Sequence, residues 1–338
     1  MASTPKAVTI LDVARVAGVS RQTVTRALND MPDISAGTRR RVVDAAQSLN
    51  YRPNRAAQGL VRGRDTTIGF VVEDLRNPYY PELASALSRI AAERGWSVIL
   101  CDVGDDEETA AGQLTSLLQR VDALIITGCQ AGSVGAIPLD SFKRTILGIP
   151  TVILDGSASD GFNAFVEIDH RAGINVALDH LVNSGRQNIA MIDTLQMDSL
   201  RREAYREYLS EHGLHWTSAS ESRAEESHRG GITAVSALLN QYPDMDAILA
   251  YNDLLGVGAL KGLARAGVSV PETITVIGID GLDIGEMITP ELTSLAINKA
   301  ELARHAVELL DDIISESGPT QLSHHRTLNY ALVVRESA

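Results

Sequence analysis

From Thr66 onward the chain alternates short apolar runs with amphipathic segments, and this alternation restricts its possible folds more than any other feature. Runs at 68–72, 98–101, 123–127, 151–154, 189–192, 247–250 and 275–279 have the length and composition of buried strands. Helical patterns lie between them at 81–94, 171–184, 200–212, 230–241 and 254–266. Strand–helix alternation predicts an α/β fold, with parallel sheets covered by helices on both faces. The stretch 66–338 is long for one such sheet and suits two, facing each other across a cleft that closes by a hinge. In open α/β sheets, ligands bind beyond the carboxyl ends of the strands.

The 338 residues carry 30 Lys+Arg against 43 Asp+Glu, a net charge of −13. Evenly spread, that acidity would disfavour nucleic acid, because phosphate binding needs cations. It is not evenly spread. Residues 1–64 hold eleven Lys/Arg and only four acids, so they carry +7 and leave −20 for the remaining 274 residues. A basic head on an acidic body is the asymmetry of a nucleic-acid module joined to something else. A solvated basic face would give the same count. Residues 1–8 lack the ~7–15-residue apolar core of a secretory signal. No apolar run approaches the ~20 residues that span a bilayer. Cys101 and Cys129 sit in apolar, strand-like contexts without metal-ligand spacing, as core thiols of a reducing compartment would. These features predict a cytoplasmic protein with no membrane contact, no metal and no cofactor.

The head reads as three short helices. Thr9 with Asp12 three residues later resembles a capping box, and Ile10, Val13, Ala14 and Ala17 follow at helical spacing. Gly18 ends this helix, since glycine takes a positive φ without cost. Ser20 caps a second helix over 21–29 that buries Val24, Ala27 and Leu28. Asp33 or Ser35 starts a third, running through 38–49 with Val42, Ala45, Ala46 and Leu49 inward. Ala14, Gly18 and Val24 have the offsets of a helix-turn-helix: a small residue at the crossing, a glycine at the corner, a β-branched residue filling the angle. In such a unit the second helix enters the major groove. Its leading polar residues are Arg21, Gln22 and, one turn on, Arg26. Arg can bond guanine O6 and N7 together, and Gln adenine N6 and N7. After Pro53, a short stripe of Ala56, Ala57 and Leu60 is too brief for a helix that is stable alone in water.

Thr9-Ile10-Leu11-Asp12-Val13-Ala14-Arg15-Val16-Ala17-Gly18-Val19-Ser20, followed by Gln22-Thr23-Val24-Thr25-Arg26, resembles the N-terminal signature of the LacI/GalR family of bacterial transcriptional regulators. Leu49-Asn50-Tyr51, Pro53-Asn54 and Ala56-Ala57 resemble that family's third helix and hinge helix. Weaker motifs follow in family order: Asn77-Pro78-Tyr79-Tyr80, Val121-Asp122, Gly148-Ile149-Pro150, His180-Leu181 with Gly185, Asn252-Asp253 and Gly278-Ile279-Asp280. The resemblance implies an all-α helix-turn-helix domain at 1–51 and a hinge helix with linker at 52–65. It implies a periplasmic-binding-protein-like body over 66–338, made of two doubly wound parallel-sheet subdomains. These would comprise about 66–163 with 296–324, and 164–295 with 325–338.

By the same resemblance, Arg21, Gln22 and Arg26 read operator bases, with further DNA contacts from Thr9, Ser20, Thr23, Asn29, Asn54, Arg55 and Ala57. Leu60 would wedge into the minor groove. Gly59 departs from the pattern and weakens the hinge helix by ~1 kcal/mol relative to Ala. The implied effector contacts are Glu73, Tyr79, Tyr80, Thr127, Asp155, Arg201, Asn252 and Asp280; a one-residue shift would exchange Arg201 with Arg202. Before Gly230, where relatives often place an aromatic ring, this chain has Glu225 and Glu226. It also has Gly185-Arg186 for a frequent Gly-His, and Ile297-Asn298-Lys299 lacks the familiar amide–aromatic pair. These departures leave a sugar, a polyol, a nucleoside or a phosphorylated compound as effector, and the acids weigh against an anion. The implied assembly is a homodimer on a pseudo-palindromic operator.

A solute-binding module would share the body but has no use for the basic head. An enzyme is disfavoured on several counts. Gly256-Val257-Gly258 and Gly262 have the wrong spacing for a dinucleotide fingerprint. The eight histidines form no HExxH pair, and no G-x-S-x-G elbow occurs.

Overall fold

The computed structural model describes residues 9–28, 31, 34–49, 66–104, 106–127, 129–130, 133–156, 162, 164–196, 199–315 and 324–338. It contains a head within residues 1–64 and a body that begins at Asp65. In the head, α1 (Ile10–Ala17) starts at Thr9, whose backbone N–H donates to Asp12 Oδ2 at 2.9 Å, and stops at Gly18 with φ +66°. α2 (Arg21–Leu28) begins with the Thr23 amide donating to Ser20 Oγ at 3.1 Å. α3 (Ala36–Ser48) starts at Ser35, one of the two expected caps, which accepts from the Thr38 amide at 3.2 Å. Val13, Val24 and Val42, one from each helix, are wholly buried and meet in a core completed by Ala14, Ala17, Ala27, Ala45 and Ala46. Burying Val24 and Ala27 turns Arg21, Gln22 and Arg26 outward, where all three are exposed. Asn29 and the hinge positions Asn54, Arg55, Ala57 and Leu60 lie outside the described residues.

The body is built on two six-stranded sheets. Along the chain, its elements are β1 (Thr67–Val72), α4 (Tyr79–Ala92), β2 (Ser97–Asp102), α5 (Glu107–Leu118) and β3 (Ala123–Ile126). A small antiparallel sheet follows, of β4 (Cys129–Gln130), β5 (Ser133–Val134) and β6 (Ile137–Pro138). Then come α6 (Leu139–Thr145), β7 (Thr151–Leu154), β8 (Ala164–Ile168), α7 (His170–Asn183), β9 (Ile189–Thr194) and α8 (Leu200–Glu211). The remainder is β10 (Glu221–Ala224), α9 (His228–Gln241), β11 (Ala247–Ala250), α10 (Asp253–Ala266), β12 (Thr275–Asp280), β13 (Thr293–Ala296), α11 (Lys299–Ser315), β14 (His324–Leu328) and β15 (Ala331–Val333).

One sheet runs β14-β8-β7-β3-β1-β2 and the other β10-β9-β11-β12-β13-β15; all pairs are parallel except β13–β15. Strand order reverses beside β1 in the first sheet and beside β9 in the second, which are the switch points where such sheets open a crevice. The central strands are apolar on both faces because helices cover both. Phe70, Leu124, Ile125 and Ile153 are fully buried in the first subdomain, as are Met191, Ile248, Leu249 and Ile277 in the second.

Sheet membership corrects the subdomain bounds taken from the resemblance. The strand Ala164–Ile168 pairs with β7, so the chain leaves the first subdomain after Ile168 rather than at 164. His324–Leu328 pairs with β8, so the last return comes after Leu328 rather than at 325. The middle crossing comes after Ala296, which pairs with Asp280 in the second sheet, one residue past the expected bound. Cys101 is a buried thiol, and the Cys129 side chain is outside the described residues. Among the described residues no helix is long and apolar enough to cross a membrane, and no cluster of three or more His, Cys, Asp or Glu has the arrangement of a metal site.

The glycines at 256, 258 and 262 serve helix packing. A Cβ on Gly231 of α9 would lie 2.3 Å from the Leu255 carbonyl oxygen and 2.9 Å from Gly258 Cα, both on α10. The two backbones therefore touch, and no side chain fits between them. Gly231→Ala is expected to cost about 2–3 kcal/mol in urea unfolding, as overpacking does. Gly112→Ala, on α5 with nothing within 4 Å, should instead add about 0.5–1 kcal/mol.

Candidate functional site

The carboxyl ends of β1, β3 and β7 face those of β9, β11 and β12 across the cleft. A cavity of about 50 Å³ lies between them, lined by Tyr79, Tyr80, Thr127, Asp155, Arg201, Asn252 and Asp280, with Asn77, Glu226, Tyr251 and Ile297. Seven of the eight effector contacts implied by the sequence thus line one chamber. The eighth, Glu73, lines an outer chamber of about 760 Å³ nearer solvent.

Arg201 is the centre of the chamber. Its guanidinium donates to the Tyr251 carbonyl oxygen and, at 3.3 Å, to Tyr330 Oη; it lies 3.5 Å from Asp280 Oδ1 and 4.5 Å from the centroid of the Tyr251 ring. Adjacent Arg202 turns the other way and pairs with Asp193, which is wholly buried. Arg201 is therefore the cavity residue, and the Arg201/Arg202 alternative is resolved. Behind it a relay of hydrogen bonds runs from Tyr330 Oη to His170 Nδ1 (2.9 Å) and from His170 Nε2 to Asp155 Oδ1 (2.9 Å). His170, Tyr330, Tyr251 and Glu226 are missing from the sequence-derived set. Tyr251 was within reach, since it directly follows β11 and precedes Asn252.

The two carboxylates on this ring are held in costly backbone conformations. Among the described residues, Asp155 (φ +55°) and Asp280 (φ +116°) are the non-glycine residues at positive φ. Such conformations persist only where the surroundings fix them, and they gather at ligand sites. At Asp280 the fixing is visible. Lys299 Nζ donates to the carbonyl oxygens of Asp280 and Gly281 at 2.9 and 3.1 Å. Ser294 Oγ takes the Gly281 amide (3.0 Å) and donates to Asp253 Oδ1 (2.6 Å), and Asp253 Oδ2 accepts from the Leu282 amide at 2.7 Å. Asn252 caps α10 by accepting from the Leu255 amide at 3.0 Å, and its Nδ2 donates to Glu226 Oε2 at 2.9 Å. Capping and cavity lining thus coincide in Asn252.

Burial and charge sort the acids. Burial acts to raise the Asp155 pKa, but the His170 and Arg201 charges and the His170 hydrogen bond outweigh it and hold it below the ordinary value. Asp280 goes the other way: burial dominates over Arg201, and neighbouring Asp253 adds to the rise. Burial also raises Glu226, against hydrogen bonds from Thr194 and Asn252 and the charge of Arg201. The chamber therefore offers one fixed cation, one firmly ionised carboxylate, and two carboxyls whose charge is costly and readily hydrogen-bonded.

Comparison with known proteins assigns the two parts of the chain. Residues 9–54 match the model described as bacterial regulatory proteins, lacI family, and residues 178–338 match a periplasmic binding protein-like domain. The ribose operon repressor of Escherichia coli (strain K12) is 31% identical over 335 residues, covering 98% of this chain and 99% of its own. The chain belongs to the LacI family. It is a DNA-binding transcriptional regulator with a helix-turn-helix head and a periplasmic-binding-protein-like body. Two solved structures share its architecture. The transcriptional regulator CelR in complex with cellobiose is 28% identical with a TM-score of 0.71, over 98% of this chain and all of that one. The lac repressor dimer bound to operator and the anti-inducer ONPF is 27% identical with a TM-score of 0.70, over 98% and 99%.

In this LacI-family body the raised Asp280 pKa sets a pH dependence. A carboxyl whose folded pKa lies above its unfolded value gives stability that is full below the unfolded pKa and lost as pH rises through the folded one. For Asp280 that window runs from the ordinary value of 3.8 up to about 8. The melting temperature of Asp280→Asn relative to the parent should therefore climb as pH rises from about 5 to about 8. A constant difference across that range in calorimetry would contradict the assignment.

Proposed function

We propose that this chain is a repressor that binds a pseudo-palindromic operator as a homodimer. Its operator affinity is set by a neutral, polyhydroxylated small molecule, a sugar or close relative, held in the inter-subdomain cavity. The carrying observation is the buried ring of Arg201, Asp155, Asp280, Asn252 and Glu226 beside the Tyr79, Tyr80 and Tyr251 rings. Vicinal hydroxyls donate to carboxylates and accept from a guanidinium, and aromatic rings cover the C–H faces of a sugar. A phosphorylated ligand would face three acids for one guanidinium. The names of the ribose operon repressor and of the cellobiose complex support the same class.

On the head, the exposed Arg21, Gln22 and Arg26 are the proposed base readers, and Thr9, Ser20 and Thr23 contact the backbone nearby. Asn29, Asn54, Arg55, Ala57 and Leu60 complete the proposed DNA surface. The effector acts by binding one cleft geometry better than the other, and that differential affinity shifts the operator equilibrium. Its place of action is the cytoplasm, where the operator lies.

Two measurements test this reading. In fluorescence anisotropy with operator DNA, the parent should respond to its sugar, whereas Arg201→Ala should lose the response. A normal response in that variant would refute the cavity as the effector site. In a binding-site selection, Arg21→Ala or Gln22→Ala should relax base choice at one position, by about 1–3 kcal/mol per bidentate contact.

A further inference from the structure

The two chambers of the cleft differ widely in size. The inner one holds about 50 Å³, little more than a few waters, and Arg201 and its partners already occupy its walls. The outer one holds about 760 Å³ and shares Asn77, Tyr80 and Glu226 with it, so the two adjoin along these residues. Small-molecule sites generally run about 300–1,000 Å³. The inner chamber alone is far below that range, and the outer lies within it.

The outer walls have their own chemistry. From the first subdomain come Glu73, Asp74, Arg76 and the Tyr80 ring; from the second come Thr194, Leu195, Gln196, Leu254 and the start of α9 at Ser227–Arg229. Leu195 is 57% exposed, a large apolar side chain at the lip of an otherwise polar chamber. Glu73, Asp74, Glu225 and Glu226 outnumber Arg76 and Arg229, and Arg76 is paired with Asp74 at 2.8 Å. This lining offers hydrogen-bonding groups and two apolar surfaces, and it repels anions.

Resting on the sugar reading above, we propose that the outer chamber is a second subsite and that the effector is a neutral two-ring glycoside of disaccharide size. One ring sits in the outer chamber against the shared wall of Asn77, Tyr80 and Glu226, with hydroxyls directed toward Arg201, Asp155 and Asp280 of the inner chamber. The other lies between Tyr80 and Leu195, with Gln196 and Glu226 facing its hydroxyls. A single ring would leave most of the outer chamber to water.

Isothermal titration calorimetry on the full-length protein tests this, with cellobiose, maltose, lactose and sucrose set against glucose, galactose and ribose. At least one disaccharide should bind tenfold or more tightly than every monosaccharide. Leu195→Trp, which fills the lip from an exposed position, should bring that ratio near one, and Gln196→Ala should reduce it several-fold. Monosaccharides binding as tightly as or more tightly than all disaccharides would overturn the second subsite and leave the sugar reading standing. So would a ratio untouched by both variants. Failure of every sugar in both panels would overturn the sugar reading itself, and the second subsite with it.

Discussion

A guanidinium taken out of water costs several kcal/mol unless its charge and its donors are met nearby. Arg201 is met by the Asp280 carboxyl at 3.5 Å, by the Tyr251 carbonyl, by Tyr330 and by the Tyr251 ring, with the Asp155 charge near it. Its direct partners follow β11, end β12 or follow the last crossing after Leu328, and the Asp155 charge at the end of β7 adds a contribution from the first subdomain. The positive-φ turns at Asp155 and Asp280 and the clamp of Lys299 on the Asp280 turn hold the two carboxyls of this ring in place. Removing one member exposes the cost borne by the others, so the ring behaves as a unit rather than as a list of contacts.

The same ring lies beside bonds that join the lobes. Glu82 on α4 pairs with Lys299 at 3.1 Å and accepts from the Asp283 amide at 3.3 Å. Under the proposed function, a ligand whose hydroxyls replaced part of the Arg201 shell would change the balance between these cross-lobe bonds and solvent. That is a differential interaction of the kind a two-state shift needs.

The most apolar strands were legible because burial on both faces leaves no polar residue to interrupt them, as at Phe70-Val71-Val72 and Ile248-Leu249. The interior strand β13, Thr-Ser-Leu-Ala, and the edge strands β10 and β14 were not. β10 reads Glu-Ser-Arg-Ala and β14 His-His-Arg-Thr-Leu, since an edge carries polar and charged side chains against unwanted pairing. β8, though apolar, fell on the expected subdomain boundary, which placed it in the wrong lobe. In the site, residues at strand ends could be found from the order of motifs. His170 and Tyr330 could not, because they are 160 residues apart and meet only through folding. Glu226 appeared in the sequence as a departure from an aromatic pattern, and its bonds to Thr194 and Asn252 became visible only in three dimensions.

The chain passes between lobes three times, after Ile168, Ala296 and Leu328, and each passage carries a residue of the chamber or its relay: His170, Ile297 and Tyr330. Ala296 pairs with Ala331, so the second and third passages run side by side. Because the passages also carry a wall of the chamber and its relay, the joint and the chamber are one piece of structure. Under the proposed function, ligand affinity and stiffness of the joint would be coupled traits: a substitution at any of these three positions would retune both at once, whereas a change in the outer chamber would alter which molecule is recognised and leave the mechanics of the joint to the passages.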